Sequence, residues 1–287
     1  MTKHGAMHPQ LNRIIRRIYY KVPFRMRLWV GRIVFFPLDL MTRLRGGTPR
    51  PPAIHKMVGQ GDFAVIGASI VHQLVEEGLK PTDDFLDIGC GIGRIAMPLA
   101  SYLQSSASYA GFDVVPEFVA WCVENISRRH PNFRFELIDI ANSEYNRDGR
   151  FDAASFRFGY KDGEFDFAYA GSVFTHLLPP AAENYIRESA RVLKKGGTVV
   201  ATFFLLNAES RALVDSGRAH MPLRSEGDGF RMLDAGNPEA DVGLDEDAVL
   251  DTFRKAGLTI RAIRYGSWCG RAQSFSYQDF VIAERTG

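Results

Sequence analysis

The chain has 287 residues, 46% of them hydrophobic and 24% charged, with a formal net charge of +2. That length allows one large domain or one domain with an appendage, and the composition excludes a disordered or collagen-like chain. Cys90, Cys122 and Cys269 are too far apart for a disulfide framework or a zinc site, so no metal is expected and a reducing, cytoplasmic setting is favoured.

The small net charge hides an asymmetry. Residues 1–60 hold twelve Lys/Arg and one acid, a net +11, whereas residues 61–287 hold 23 Lys/Arg and 32 Asp/Glu, a net −9. The basic N-terminus is not followed by an uninterrupted apolar core and a small-residue cleavage site, so no signal peptide is expected. Leu11, Ile14, Ile15 and Ile18 repeat at helical spacing between Arg13, Arg16 and Arg17. Met26, Trp29, Val30, Ile33 and Val34 do the same beside Arg25, Arg27 and Arg32, and Pro37 is expected to end this second helix. The arm is too short in apolar residues to span a bilayer, which takes about 20. Residues 11–45 suit either an anionic membrane surface, which would make the protein peripherally associated, or a helical cap or oligomer contact.

The stretch 46–52, GGTPRPP, reads as a linker. This divides the chain into a basic amphipathic extension with its linker, 1–52, and a main domain, 53–287. A helical pattern runs from Val65 to Gly78, and strand and helix signals then alternate. Strands are predicted at 84–88, 108–112, 133–138, 165–170, 197–205, 258–266 and 277–284, and helices at 94–103, 117–129, 181–194 and 245–256. Such alternation means a doubly wound α/β sheet. The polar stretch 207–244 breaks the rhythm and reads as an insertion, the sort of segment that forms lids or substrate-binding elements.

The most informative segment is Phe85-Leu86-Asp87-Ile88-Gly89-Cys90-Gly91-Ile92-Gly93-Arg94. An apolar strand meets an acid, then Gly-x-Gly-x-Gly, then a helix pattern. Glycines allow a sharp turn and close ligand approach, and a helix N-terminus offers free N–H groups to anions. Asp113 closes the second strand, where an acid accepts from ribose hydroxyls. Asp139 closes the third, where an acid can meet an adenine amino group. NAD is the competing cofactor, but its fingerprint is Gly-x-Gly-x-x-Gly; here the third glycine comes one residue early.

With LDIGCGIGR, GFDVVPEFVAWCVENI, FELIDIA, FDFAYAGSVFTHLLP and RVLKKGGTVVATFF, residues 55–285 resemble the class I S-adenosylmethionine-dependent methyltransferases. The resemblance implies a seven-stranded, mostly parallel sheet with an antiparallel last strand, at Tyr277–Glu284 here. It implies S-adenosylmethionine as cofactor, with Asp87, Gly89, Gly91 and Gly93 opening the site. Asp113 would hold the ribose and Asp139 with Ile140 the adenine, while Ala170, Gly171 and Ser172 would lead into the reacting centre. Phe63 lies where similar enzymes close over the cofactor, although a core aromatic beside a turn fits it as well.

Methyl transfer from a sulfonium is an in-line displacement that chiefly needs alignment. A hydroxyl acceptor is helped by a general base, whereas a carboxylate needs none. His176, in Ser172-Val173-Phe174-Thr175-His176-Leu177, is the candidate base; the alternative is a helix-start residue bonded to backbone. The run Gly266–Arg271 with Tyr277–Asp279 reads as an acceptor-pocket loop or a surface hairpin. No Asn/Asp-Pro-Pro-Tyr/Phe follows the fourth strand, against methylation of adenine bases or glutamine side chains. The absence of an RNA-binding module speaks against nucleic acid. The expectation is an enzyme that methylates a small-molecule, sugar or lipid-linked acceptor, at oxygen. N- or carboxyl-methylation of a peptide or protein, and a module that binds the cofactor without turnover, are the alternatives.

Overall fold

The computed structural model describes residues 22–44 and 62–287. Two compact units divide the chain, 1–60 and 61–287. The pattern at 11–18, the linker 46–52 and the expected domain boundary lie outside the described residues.

In the first unit α1 spans Phe24–Leu44, with Pro37 inside it. The expectation that Pro37 ends this helix is therefore corrected. Proline removes one intrahelical hydrogen bond, that to the carbonyl four residues back. Here that carbonyl belongs to Ile33, and both residues stand on the exposed side, where water can take the lost bond's place.

The second unit opens with α2 (Phe63–Glu76), whose N-cap Asp62 accepts from the Ala64 and Val65 amides. There follow β1 (Phe85–Ile88), α3 (Ala96–Tyr102), β2 (Tyr109–Asp113), α4 (Pro116–Cys122), β3 (Phe133–Leu137), β4 (Phe165–Ala170) and α5 (Pro179–Val192). A π-helical turn, Val123–Ser127, extends α4. The long β5 (Leu193–Phe203) runs almost directly into β6 (Leu205–Leu206). After the insertion come α7 (Glu246–Lys255), β10 (Leu258–Arg264) and β11 (Asp279–Arg285); α6 (Ala208–Asp215), β7 (Ser225–Glu226), β8 (Phe230–Met232) and β9 (Val242–Asp245) lie within it or at its edge.

The main sheet has seven strands in the order β10-β11-β5-β4-β1-β2-β3, and β11 runs antiparallel to both neighbours. Each strand predicted from the sequence is present. Between β4 and β2, β1 is the point from which successive strands leave in opposite directions, so a crevice opens at the carboxyl ends of β1 and β4. Alternation along the strands puts Phe167, Phe85, Tyr109 and Phe133 on one face, where they stack in a ladder at 4.7–5.8 Å. Val71 and Leu74 of α2, Leu99 of α3 and Cys122 of α4 cover it. On the other face Leu86, Ile88, Ala168 and Val199 pack with Ala182, Tyr185 and Ile186 of α5.

The insertion is more ordered than its composition implies. With β6 it builds a second sheet in the order β6-β9-β8-β7, closed by a short turn at Pro238–Ala240. Trp268 and Cys269 are buried with Phe204 and Leu223 in its core. Of the C-terminal run, Trp268, Cys269, Arg271 and Asp279 are therefore buried, whereas Tyr277 stands exposed. Asp279 fastens it from within, accepting from the Gly266 and Leu205 amides, Trp268 Nε1 and Arg271 Nη1 at 2.6–3.0 Å.

Candidate functional site

The glycine loop leaves the carboxyl end of β1 with Gly89, Gly91 and Gly93 all at positive φ, 70°, 54° and 74°. The three differ in what surrounds them. A Cβ on Gly89 would lie 2.5 Å from Val173 Cγ2, and one on Gly93 would lie 2.7 Å from Ile126 Cδ1. One on Gly91 would meet no atom within 4 Å. Gly89 and Gly93 therefore let the loop pack onto the protein, whereas Gly91 faces open space.

Asp113, at the end of β2, accepts from the Gly91 amide at 2.8 Å and from the Val115 amide at 2.9 Å. The carboxylate thereby shapes the loop it is expected to work with. Burial raises its pKa, and the amide hydrogen bonds oppose that rise. Asp87 sits deeper. Period-2 alternation places it on the face of Phe85, only 2% exposed, where the Tyr109 phenol donates to it at 2.5 Å. Burial pushes its pKa up to about 8, against the pull of that hydrogen bond. Asp87 thus braces the floor of the loop.

Beyond β3, Asp139 accepts from Arg150 Nε at 2.6 Å and from Asn146 Nδ2 at 3.2 Å. Arg150 first, then Asn146, holds its carboxyl below the usual range. The Ile140 amide has no acceptor among the described residues, although the residue is buried. Phe63 begins α2 and is buried, with the Arg94 guanidinium 5.6 Å above its ring. Arg94 follows the glycine loop directly, makes no ion pair with a carboxylate among the described residues, and has its pKa lowered by burial.

The fourth-strand residues complete this rim. Ala170 is buried and can offer only backbone. Ser172 is the single non-glycine residue with positive φ among those described, 58°, a conformation that costs about 1–2 kcal/mol. Its amide donates to Thr202 Oγ1 at 2.7 Å and its hydroxyl to Gln278 Oε1 at 3.0 Å. Thr202 Oγ1 also donates to Gln278, at 2.7 Å. These bonds join the ends of β4, β5 and β11.

His176 closes a single 3₁₀ turn, Phe174–His176. Its Nδ1 lies 2.9 Å from the Glu239 carbonyl oxygen and its Nε2 lies 3.2 Å from the Tyr145 hydroxyl. A carbonyl can only accept, so in the neutral ring Nδ1 carries the proton and Nε2 presents its lone pair to Tyr145. The rings meet edge to face, 5.0 Å apart. Sequence reasoning missed Tyr145. It lies in the irregular loop that carries Asp139 and Ile140, and no periodicity marks it. The insertion holds this loop: Glu239 Oε2 accepts from the Ser143 amide, Ser143 Oγ donates to Asn237 Oδ1, and Asn237 Nδ2 donates to the buried Glu144 carboxylate.

A model of the methyltransferase domain matches residues 86–201. Arsenite methyltransferase from Aquipseudomonas alcaligenes is 31% identical over 124 residues, 43% of this chain and 33% of that protein; the chain thus matches about a third of the length of this relative. Among solved structures, an S-adenosylmethionine-dependent methyltransferase from Clostridium acetobutylicum superposes with a TM-score of 0.52 at 14% identity, over 79% of this chain and 94% of that one. Magnesium protoporphyrin IX methyltransferase from Synechocystis, with bound S-adenosylhomocysteine, gives 0.50 at 17% identity, over 87% and 94%. At such identities these two speak for the fold alone.

The residues present suit S-adenosylmethionine. Open space lies at Gly91, where a side chain would intrude; the Ile140 amide is without an acceptor among the described residues; and carboxylates close β2 and lie just past β3. The strand order, the loop and these carboxylates agree with the domain match: residues 86–201 carry a methyltransferase domain, set in the seven-stranded fold of the class I S-adenosylmethionine-dependent methyltransferases.

Proposed function

We propose that this protein methylates a hydroxyl oxygen of a small-molecule, sugar or lipid-linked acceptor, releasing S-adenosylhomocysteine, and that residues 11–45 hold it at an anionic membrane surface. The observation that carries the acceptor chemistry is the pairing of His176 Nε2 with the Tyr145 hydroxyl. An aligned base is of use to a hydroxyl acceptor and superfluous for a carboxylate.

S-adenosylmethionine, when bound, supplies a methyl group already activated on a sulfonium. The chain's part is to hold and align it. Asp113 would take the ribose hydroxyls, Asp139 and the Ile140 amide the adenine edge, and Arg94, set between Phe63 and the glycine loop, would pair with the methionine carboxylate. Gly91 leaves room for the ligand while Gly89 and Gly93 let the loop pack beneath it, Asp87 supports the loop from below, and Ala170 and Ser172 border the reacting centre. The acceptor hydroxyl gives its proton to the Tyr145 oxygen while Tyr145 passes its own to His176 Nε2. His176 ends as imidazolium, still oriented by the Glu239 carbonyl.

The arsenic substrate named for the relative does not suit this chain. Thiolates are the side chains for so soft a centre, and Cys90, Cys122 and Cys269 are all buried, with their thiol pKa values raised by burial. The test is release of S-adenosylhomocysteine across classes of acceptor: hydroxylated small molecules, sugars and lipid-linked sugars against peptides and carboxylic acids. Turnover confined to peptides or carboxylic acids would refute the reading.

A further inference from the structure

Sixteen large hydrophobic side chains are exposed among the described residues, and ten of them lie on the 21-residue α1. The other six are scattered through residues 62–287, so the concentration is a property of this helix. At 3.6 residues per turn, Met26, Trp29, Val30, Ile33, Val34 and Met41 share one face. Phe24, Leu28 and Gly31, on the opposite face, are buried. The helix thus has one covered face, which also buries Arg27, and one open apolar face, with Trp29 65% and Val34 63% exposed. A contiguous apolar surface of this kind marks an interaction site.

Charge selects the occupant. Arg25 and Arg32 stand exposed along one edge of the open face, and the helix contains one acid, Asp39. Residues 1–60 carry twelve Lys/Arg against that single acid. A second copy docked through this face would set one strongly positive segment against another. A negatively charged partner suffers no such penalty. No helix among the described residues is long and apolar enough to cross a membrane, which leaves the interfacial mode. Trp and aliphatic groups on one side with arginines at the edge are the composition such helices use on anionic lipid.

We infer that α1 lies in the surface of an anionic lipid bilayer with the Trp29–Val30–Ile33 face inserted and Arg25 and Arg32 at the headgroups. The inference rests on the proposed membrane contact of residues 11–45 and specifies the face that makes it. It does not depend on the identity of the methyl acceptor, because binding is read without turnover.

The test uses the full chain with vesicles of phosphatidylcholine alone and vesicles containing about one third phosphatidylglycerol, by co-sedimentation and tryptophan emission. Trp268 is fully buried and Trp121 partly so, so a blue shift on binding reports Trp29 and is lost in Trp29→Phe. The expected result is affinity at least about tenfold higher for the anionic vesicles, falling with salt. Val30→Glu with Ile33→Glu should lower it by about tenfold or more, with an unchanged melting temperature, since both side chains are exposed. Arg25→Glu with Arg32→Glu should weaken the preference for anionic lipid. If deletion of residues 1–50 abolishes binding but the Val30/Ile33 variant binds as wild type, the membrane contact stands and this face is wrong. If the full chain ignores anionic vesicles, both fail. A dimer that the Val30/Ile33 variant dissolves, without vesicle binding, would assign the face to a second copy and overturn the inference.

Discussion

Substituting Gly91 and Gly93 separately by alanine should separate the two tasks of the glycine loop. Both residues have positive φ, 54° and 74°, and an L-residue there costs about 1–2 kcal/mol. At Gly91 that is the whole cost, since the added methyl meets nothing within 4 Å. At Gly93 the methyl would stand 2.7 Å from Ile126 Cδ1 and 3.1 Å from Cys122 Sγ, both in the core, and such overpacking adds about 1–3 kcal/mol. In a domain of this size each kcal/mol lowers the melting temperature by about 2–4 °C. Gly91→Ala should therefore lose about 2–8 °C and Gly93→Ala clearly more. The order should invert for ligand. The Gly91 methyl points into the space assigned to the cofactor, so calorimetric affinity for S-adenosylhomocysteine should fall at least about tenfold, or about 1.4 kcal/mol. The Gly93 methyl points into the protein, so folded Gly93→Ala should keep more of that affinity. Wild-type affinity in Gly91→Ala would show that the open space is not the cradle.

Asp87→Asn tests the floor of the loop. With its pKa raised to about 8 by burial, Asp87 holds a proton in the folded chain that it has lost in the unfolded chain from about pH 4 upward. Its contribution to stability is therefore full below that pH and declines as pH rises towards 8. Wild-type melting temperature should fall over that range and Asp87→Asn should flatten the fall; identical slopes would refute the assignment. Asp139→Asn should weaken S-adenosylhomocysteine several-fold and narrow its advantage over S-inosylhomocysteine, whose 6-oxo oxygen can accept from the new amide. An unchanged preference would remove Asp139 from the adenine site. His176→Ala and Tyr145→Phe should each lower turnover on the best acceptor by about a hundredfold or more while leaving S-adenosylhomocysteine affinity nearly intact. Unchanged turnover in both would make the pair structural and the acceptor one that needs no base.

The proposed donor half of the site was legible because its parts are local. A strand, a three-glycine turn and a helix are contiguous from Phe85 to Tyr102, and the acids that follow sit at the end of β2 and just past β3, where the winding of the sheet brings them together. Even here, contacts were not legible. Spacing places Asp87 beside the loop, but alternation buries it under Tyr109, and nothing in the spacing of Asp139 announces Arg150. Pro37 misled because a proline's cost depends on whether the freed carbonyl meets water, which the sequence does not record.

The proposed acceptor half was illegible for a different reason. It is assembled from segments with no regular pattern: Asn142–Tyr145, the single turn at His176, and Asn237–Glu239. Each depends on the others. The Asn142 side-chain amide donates to the His176 carbonyl, while its oxygen accepts from the Glu144 and Tyr145 amides. Glu239 reaches the same cluster twice, through its carbonyl to His176 Nδ1 and through its carboxylate to the Ser143 amide. The insertion therefore fixes which nitrogen of His176 carries the proton, and it does so through a backbone atom. Many residues at 239 could supply that carbonyl, so side-chain identity leaves no trace of the role in the sequence. What matters is where β8, β9 and the turn Pro238–Ala240 set the backbone. A stretch that reads as polar and irregular thus orients the proposed base, and on that proposal the acceptor chemistry depends on the order of the insertion as much as on the residues that touch the acceptor.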